Sequence, residues 1–126
     1  MKKIFLEQAR RVVIKIGSSL LIKDNKFNQE WVENLIEDLE FLIKEKIEII
    51  IVASGSVSLG KSYLKVKSEK LKIHEKQAYA ACGQVILMNN FMKIFEKRKK
   101  KVAQILLTYS DTEDRRKSLN SRDTIN

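Results

Sequence analysis

The sequence predicts an α/β fold built on a mainly parallel sheet. Two β-branched apolar runs, Arg11 to Ile16 and Ile47 to Val52, each end in a turn of glycine and serine. The segment between them repeats its apolar residues at helical spacing, and a second such segment leads into a third apolar run, Lys101 to Thr108. Strands and helices that alternate at this length form βαβ units with right-handed crossovers. With 126 residues, 44% of them hydrophobic and no proline, the chain is expected to be one ordered domain with a real core.

Arg11 to Ile16 reads as the first strand. Lys23-Asp24-Asn25-Lys26 is a polar turn joining Leu20 to Ile22 with Lys26 to Phe27 as a small hairpin. Asn28 is placed to cap a helix with Val32, Leu35, Ile36, Leu39, Leu42 and Ile43 on its buried face and Glu33, Asp38, Glu40 and Lys44 opposite. Ile47 to Val52 is too short for a helix and nearly continuous in hydrophobicity, as in a central parallel strand covered on both faces. A helix over Gly55 to Tyr63 follows directly. After an exposed, charged stretch at Ser68 to Ile73 comes a long helix, Glu75 to Lys97, whose buried stripe is expected at Ala78, Ala81, Cys82, Val85, Met88, Met92 and Phe95. Gly83, mid-helix, costs about 1 kcal/mol relative to alanine, which points to close helix packing or ligand approach. Lys101 to Thr108 reads as the third strand and Thr112 to Asn126 as further helix. Trp31 and the methionines read as packing. Ser121 to Asn126 carries neither a capping glycine nor a proline, and the reading is of a chain cut rather than finished.

The formal charge of +9 comes from nineteen lysines and six arginines against 16 acidic residues. It is densest at Lys97-Arg98-Lys99-Lys100-Lys101, where a long helix ends and cations are favoured by the helix dipole. No aromatic residue interleaves the run to stack a base, so a solvated helix end is the reading preferred over a nucleic-acid site. The lone Cys82 excludes an intrachain disulfide and suits a reducing compartment. Met1 to Leu6 meets Glu7 before a signal-peptide core develops, and no apolar run reaches the ~20 residues of a membrane span. A cytoplasmic protein without a membrane partner is expected.

Lys15 is the sharpest chemical candidate. A lysine in an apolar strand must emerge at the strand end or find a partner, because an unpaired buried ammonium is heavily penalised. The Gly17-Ser18-Ser19 turn beside it adds backbone donors and hydroxyls suited to a polyphosphate, with glycine read as supplying a turn other residues resist. Neither G-x-x-x-x-G-K-[ST] nor G-x-G-x-x-G occurs. Ser54 and Gly55 form the second candidate: a helix starting there points free N–H groups at an anion, a carboxylate included. The plainer alternative is a strand-to-helix turn with Ser54 as the cap. His74 has no ligating neighbours in sequence and reads as a surface side chain.

Five segments together resemble the amino-acid kinases. They are Val13-Ile14-Lys15-Ile16-Gly17-Ser18-Ser19-Leu20; Ser54-Gly55-Ser56-Val57 with Gly60; Lys76-Gln77-Ala78 with Ala80-Ala81-Cys82-Gly83-Gln84; Ala103-Gln104-Ile105-Leu106-Leu107-Thr108 with Asp111; and Leu119-Asn120-Ser121-Arg122-Asp123-Thr124. Each is weak alone, but the five follow one another in the family's order over nearly the whole chain. The third and fourth favour the branch that phosphorylates glutamate over those acting on N-acetylglutamate, carbamate or uridylate.

The resemblance implies the amino-terminal, acceptor-side portion of a partial three-layer αβα sandwich, residues 1–126, without the nucleotide-binding half. It implies ATP-dependent phosphorylation of the side-chain carboxylate of L-glutamate, the first step of proline biosynthesis. Lys15 would be the catalytic, phosphate-binding lysine, Gly17 and Ser18 would line the ATP phosphate pocket, and Ser54 and Gly55 would hold glutamate. Mg²⁺ would ride on the nucleotide phosphates rather than on a protein metal site, and the whole enzyme would be a homo-oligomer. The sequence departs from the family pattern at Ala53, Ser56, Ser58, Tyr109 and Ser118. It lacks the family's acidic Asn-Glu-Asn-Asp and Gly-Asp-Asn-Asp segments, so the chain alone is expected to be inactive or nearly so. A non-catalytic binding or regulatory remnant of such a kinase is the alternative, and a basic nucleic-acid-binding domain a more distant one.

Overall fold

The computed structural model describes residues 8–126; the reading of Met1 to Leu6 lies outside them. Strands β1 (Arg11–Ile16) and β4 (Glu48–Ala53) pair in parallel, with Arg11 opposite Glu48 and Ile16 opposite Ala53. Between them lie a four-residue helix α1 (Ser18–Leu21), a hairpin of β2 (Ile22–Lys23) and β3 (Lys26–Phe27), and helix α2 (Gln29–Lys44). Asp24 and Asn25 at the hairpin tip both have positive φ, 50° and 59°, the geometry that matches a tight turn to the strands' twist and that Asp and Asn tolerate best. The strand–hairpin–helix–strand order follows the sequence reading.

Side-chain alternation divides the sheet into two unlike faces. Val12, Ile14 and Ile16, with Ile49, Ile51 and Ala53, face the helices. There Ile14, Ile16 and Ile51 join a core completed by Val32, Leu35 and Ile36 of α2, by Leu59 of α3 (Ser56–Tyr63), and by Leu87, Phe91 and Ile94 of α4 (Ile73–Lys97). Phe27 meets Phe91 edge to face at 5.6 Å between ring centroids, and Trp31 packs against the same core. The other face carries Arg11, Val13, Lys15, Ile50 and Val52; Val13 is 60% exposed and Val52 48%. The expected cover on both faces of β4 is therefore present on one face only among the described residues, giving two layers of an α/β fold.

Helices α3 and α4 meet without intervening side chains. A β-carbon on Gly60 would overlap the Tyr79 carbonyl, and one on Gly83 would overlap the Ser56 carbonyl. Close packing is thus the reason for glycine at position 83. It also corrects the expected stripe on the long helix. The buried residues are Gly83, Leu87, Phe91 and Ile94, nearly the opposite side from the predicted one, while Ala78, Ala81, Val85 and Met92 are exposed and Cys82 is half-buried. The helix is apolar almost all round between its charged ends, so periodicity alone could not choose a side, and the glycine contacts chose it.

The third predicted strand is not formed. Residues 101–108 are exposed and pair with neither β1 nor β4. An apolar parallel strand needs cover on both faces, and the open face of β1 and β4 offers none among the described residues. The segment leads instead into α5 (Tyr109–Glu113) and α6 (Arg115–Ile125), which pack chiefly on each other. The carboxyl end of α4 is fastened to α2: Lys97 Nζ lies 2.9 Å from Glu33 Oε1, Arg98 Nη2 donates to the Glu33 carbonyl at 3.2 Å, and Arg98 Nε is 3.4 Å from Glu40 Oε1.

Candidate functional site

The parallel pairing brings the carboxyl ends of β1 and β4 side by side, and the chain turns into a helix after each. The register places Lys15 opposite Val52, on the open face of the sheet just before the rim. Lys15 is exposed and makes no ion pair with any described residue. Past the rim, the Gly17 carbonyl accepts from both Leu20 and Leu21, at 3.2 and 3.3 Å. The amides of Ser18 and Ser19, at the start of that short helix, are left without an intrahelical acceptor.

Ser54 is the stitch between the two strand ends. Its backbone N–H and its hydroxyl both approach the Ile16 carbonyl oxygen at 3.3 Å. The hydroxyl is thereby turned toward β1 and does not cap α3. Gly55 holds the cap position in the left-handed region, φ 109° and ψ 0°, and its carbonyl accepts from Leu59 at 3.1 Å. The amides of Ser56, Val57 and Ser58 form the open, electropositive first turn of α3. A β-carbon on Gly55 would lie 3.6 Å from Ser18 Cβ and 3.2 Å from the Ile22 side chain.

The structure thus brings Ser18, Ser54 and Gly55 together on one rim with Lys15 at its edge. It reverses one expectation. Gly17 has φ −73° and ψ 157°, a conformation open to any residue, and a β-carbon there would meet nothing closer than Ser19 Oγ at 3.9 Å. The glycine that the backbone requires is Gly55. Sequence reasoning also missed Ile22, whose side chain floors the rim beneath Gly55; the only signal for it is its place in the hairpin after α1.

A cation, serine hydroxyls and unpaired amides gathered on one rim suit an anion such as a phosphate or a carboxylate. Two hollows among the described residues, about 250 Å³ beside Arg11, Asp111 and Arg122 and about 490 Å³ beside Arg10, Glu45 and Lys46, lie toward the opposite, amino end of β1. Among the described residues no three His, Cys, Asp or Glu side chains converge to hold a metal ion, and no helix is long and apolar enough to cross a membrane. In the basic run, Lys97 and Arg98 are engaged by Glu33 and Glu40 on α2, as a structural helix end requires.

Away from the rim, two carboxylates are held below the usual range. Glu33 accepts from Gln29 and then from Lys97, and Asp111 accepts from the hydroxyl and the amide of Thr108 at the start of α5.

The model of the amino acid kinase family matches residues 10–126. The chain is similar to the glutamate 5-kinase of Pelagibacter ubique (strain HTCC1062), 44% identical over 121 residues that cover 95% of this chain and 33% of that protein. It is likewise similar to the glutamate 5-kinases of Brucella ovis, 40% identical over 121 residues (95% of this chain, 32% of that protein), and of Bartonella henselae, 42% identical over 118 residues (93% and 31%). It spans about a third of the length of these curated relatives. With the family model matched from the first strand to the last helix, the chain belongs to the amino acid kinase family.

Proposed function

We propose that this chain is the acceptor-side part of an ATP-dependent kinase that phosphorylates the side-chain carboxylate of L-glutamate, the step that opens proline biosynthesis. The observation that carries the reading is the rim itself, where parallel pairing sets Lys15 and the Gly17–Ser18 turn beside Ser54 and the first turn of α3. The similarity to glutamate 5-kinases supports glutamate as the acceptor.

A glutamate side chain, with an ordinary pKa near ~4.3, is already ionised at neutral pH, so its attack on phosphorus needs no general base. What the reaction needs is relief of repulsion between two anions held in line. Lys15 supplies an exposed cation at the rim's edge, and Gly17 and Ser18 line the phosphate side. Ser54 and Gly55 shape the acceptor side, where the α3 amides face the substrate carboxylate. Gly55 leaves room for close approach, and the Ser54–Ile16 hydrogen bond fixes the spacing between the two halves. The donor set fits ATP phosphates; Mg²⁺ carried on those phosphates supplies further charge neutralisation. The same composition and a single thiol suit a cytoplasmic enzyme.

Amide chemical shifts followed by NMR during glutamate and MgATP titrations test the reading. Glutamate is expected to move Ser54, Gly55 and Ser56, and nucleotide to move Gly17 and Ser18, while glutamate-dependent ADP release from this chain alone stays at background. Ligand responses confined to the amino-end hollows, or none at millimolar ligand, would defeat it.

A further inference from the structure

Gly55 is the glycine of the rim whose backbone sits in the left-handed region, and no side chain caps α3 by a hydrogen bond to hold it there. Glycine enters either sign of φ with similar ease, so a glycine at this point leaves the chain that follows free to swing. The Ser54 hydrogen bonds to Ile16 fix the turn on one side of Gly55, and the Leu59 amide, 3.1 Å from the Gly55 carbonyl oxygen, ties it on the other. Between those two ties, the direction of the Ser56, Val57 and Ser58 amides depends on what stands against Gly55 itself.

That neighbour is Ile22. A β-carbon on Gly55 would stand 3.2 Å from Ile22 Cγ1 and 3.3 Å from Ile22 Cδ1, so the isoleucine closes off the space on that side of the turn. Ile22 is held in its own place by separate contacts. Its amide donates to the Ser18 carbonyl at the end of α1. Across the hairpin it pairs with Phe27, whose ring meets Phe91 of α4, and its side chain packs against the core. A β-branched side chain is also stiff at χ1, which makes Ile22 a fixed wedge and not a flexible filler. One residue thus links the two halves of the rim: its backbone is bonded to Ser18 on the phosphate side, and its side chain stands against Gly55 on the acceptor side.

We infer that Ile22 is a positioning residue: its side chain holds the Gly55 turn, and through that turn it sets the direction in which the first amides of α3 meet the substrate carboxylate. The acceptor role rests on the function proposed above, whereas the hold on Gly55 stands without it. Truncating the side chain leaves the amide bond to Ser18 in place, so the loss falls on the acceptor side alone. Displacements of about 1 Å at a substrate-orienting group can cost on the order of 10²-fold in rate.

Three variants test the inference. Ile22→Ala removes the wedge, Ile22→Val keeps the β-branch and the atom nearest Gly55, and Leu35→Ala truncates another half-buried member of the same core, on α2, as the comparison for general destabilisation. Hydrogen exchange of the Leu59 amide, read without ligand and corrected for global stability from urea denaturation, should be at least tenfold faster in Ile22→Ala than in Leu35→Ala, with Ile22→Val close to the parent chain. In NMR titrations the glutamate Kd read at Ser54, Gly55 and Ser56 should rise at least tenfold in Ile22→Ala and stay within about threefold in Ile22→Val and Leu35→Ala, while the MgATP response at Gly17 and Ser18 holds in all three. Equal Leu59 exchange and equal glutamate affinity in Ile22→Ala and Leu35→Ala would overturn the inference, as would parallel loss of the glutamate and MgATP responses in Ile22→Ala. A parent chain that gives no glutamate response defeats the acceptor reading itself, and Leu59 exchange then decides the hold of Ile22 on Gly55 by itself.

Discussion

Gly83 of α4 lies so close to Ser56 of α3 that a β-carbon on Gly83 would overlap the Ser56 carbonyl oxygen and stand 2.6 Å from the Gly60 amide nitrogen. Two backbones in direct contact set the position of the α3 amino terminus, and with it the acceptor side of the rim. Gly83→Ala should therefore gain the ~1 kcal/mol of helix propensity that alanine offers and still lose stability overall. The helices must separate, and overpacking of this kind costs about 1–3 kcal/mol or more. Urea denaturation followed by circular dichroism checks the sign; an unchanged or raised midpoint would show that the contact yields freely.

The two rim glycines should respond oppositely. Gly55→Ala forces a β-carbon into a left-handed backbone and against Ile22, with an expected loss of about 1–3 kcal/mol. Gly17→Ala meets open space at an ordinary φ, so it should be neutral or stabilise by up to ~1 kcal/mol through the unfolded chain. Parallel thermal melts of the two variants decide.

On α4, Ile94→Ala removes a side chain that is 1% exposed and belongs to the central core. A loss of about 2–5 kcal/mol is expected. Val85→Ala, at 71% exposure, should shift monomer stability by less than ~0.5 kcal/mol. Denaturant titrations at low protein concentration separate the two sides of the helix.

The carboxylate of Asp111 should report the cap at the start of α5. Donation from the Thr108 hydroxyl and amide lowers its pKa. The cap's contribution is therefore fully present above the ordinary carboxylate value and is lost as pH falls through the lower, native one. An NMR titration of the Thr108 amide should show a midpoint below that of an exposed aspartate, and Thr108→Val should raise it. Glu33 should behave alike, its midpoint rising in Gln29→Ala and in Lys97→Met.

Lys15→Met keeps the length and apolar stem of the side chain and removes its charge. Phosphate-dependent shifts at Gly17 and Ser18 should weaken by at least tenfold, with glutamate shifts at Ser54 little changed. In the complete enzyme of the proposal the same change should lower kcat by about 10²–10³. Equal weakening of both ligands would move Lys15 out of the phosphate role.

Much of this architecture was legible because it is local. Arg11–Ile16 and Glu48–Ala53 are short, β-branched and bounded by turn residues; Asp24–Asn25 suits a hairpin tip; and the face of α2 at Val32, Ile36 and Leu42 stands out against charged neighbours. The stripe of α4 was not legible, since apolar residues lie on both its sides and the choice fell to contacts between Gly60, Gly83 and the backbone opposite. Residues 101–108 carry the composition of a strand, but a strand exists only with a neighbour to pair with and cover for both faces. On the rim, Lys15, Ser18, Ser54 and Gly55 were marked by residue type, whereas Ile22 beneath Gly55 carries no such mark.

Hydrophobic period, turn chemistry and the placement of one lysine among apolar neighbours are properties of consecutive residues, and they alone determined an α/β chain with two glycine- and serine-bearing strand ends. Which glycine bears the strained backbone, which side of α4 is buried and which face of the sheet stays open depend on residues far apart in sequence. Only tertiary structure decided these, because each is settled by what stands across a gap of a few ångströms and not by the residue itself.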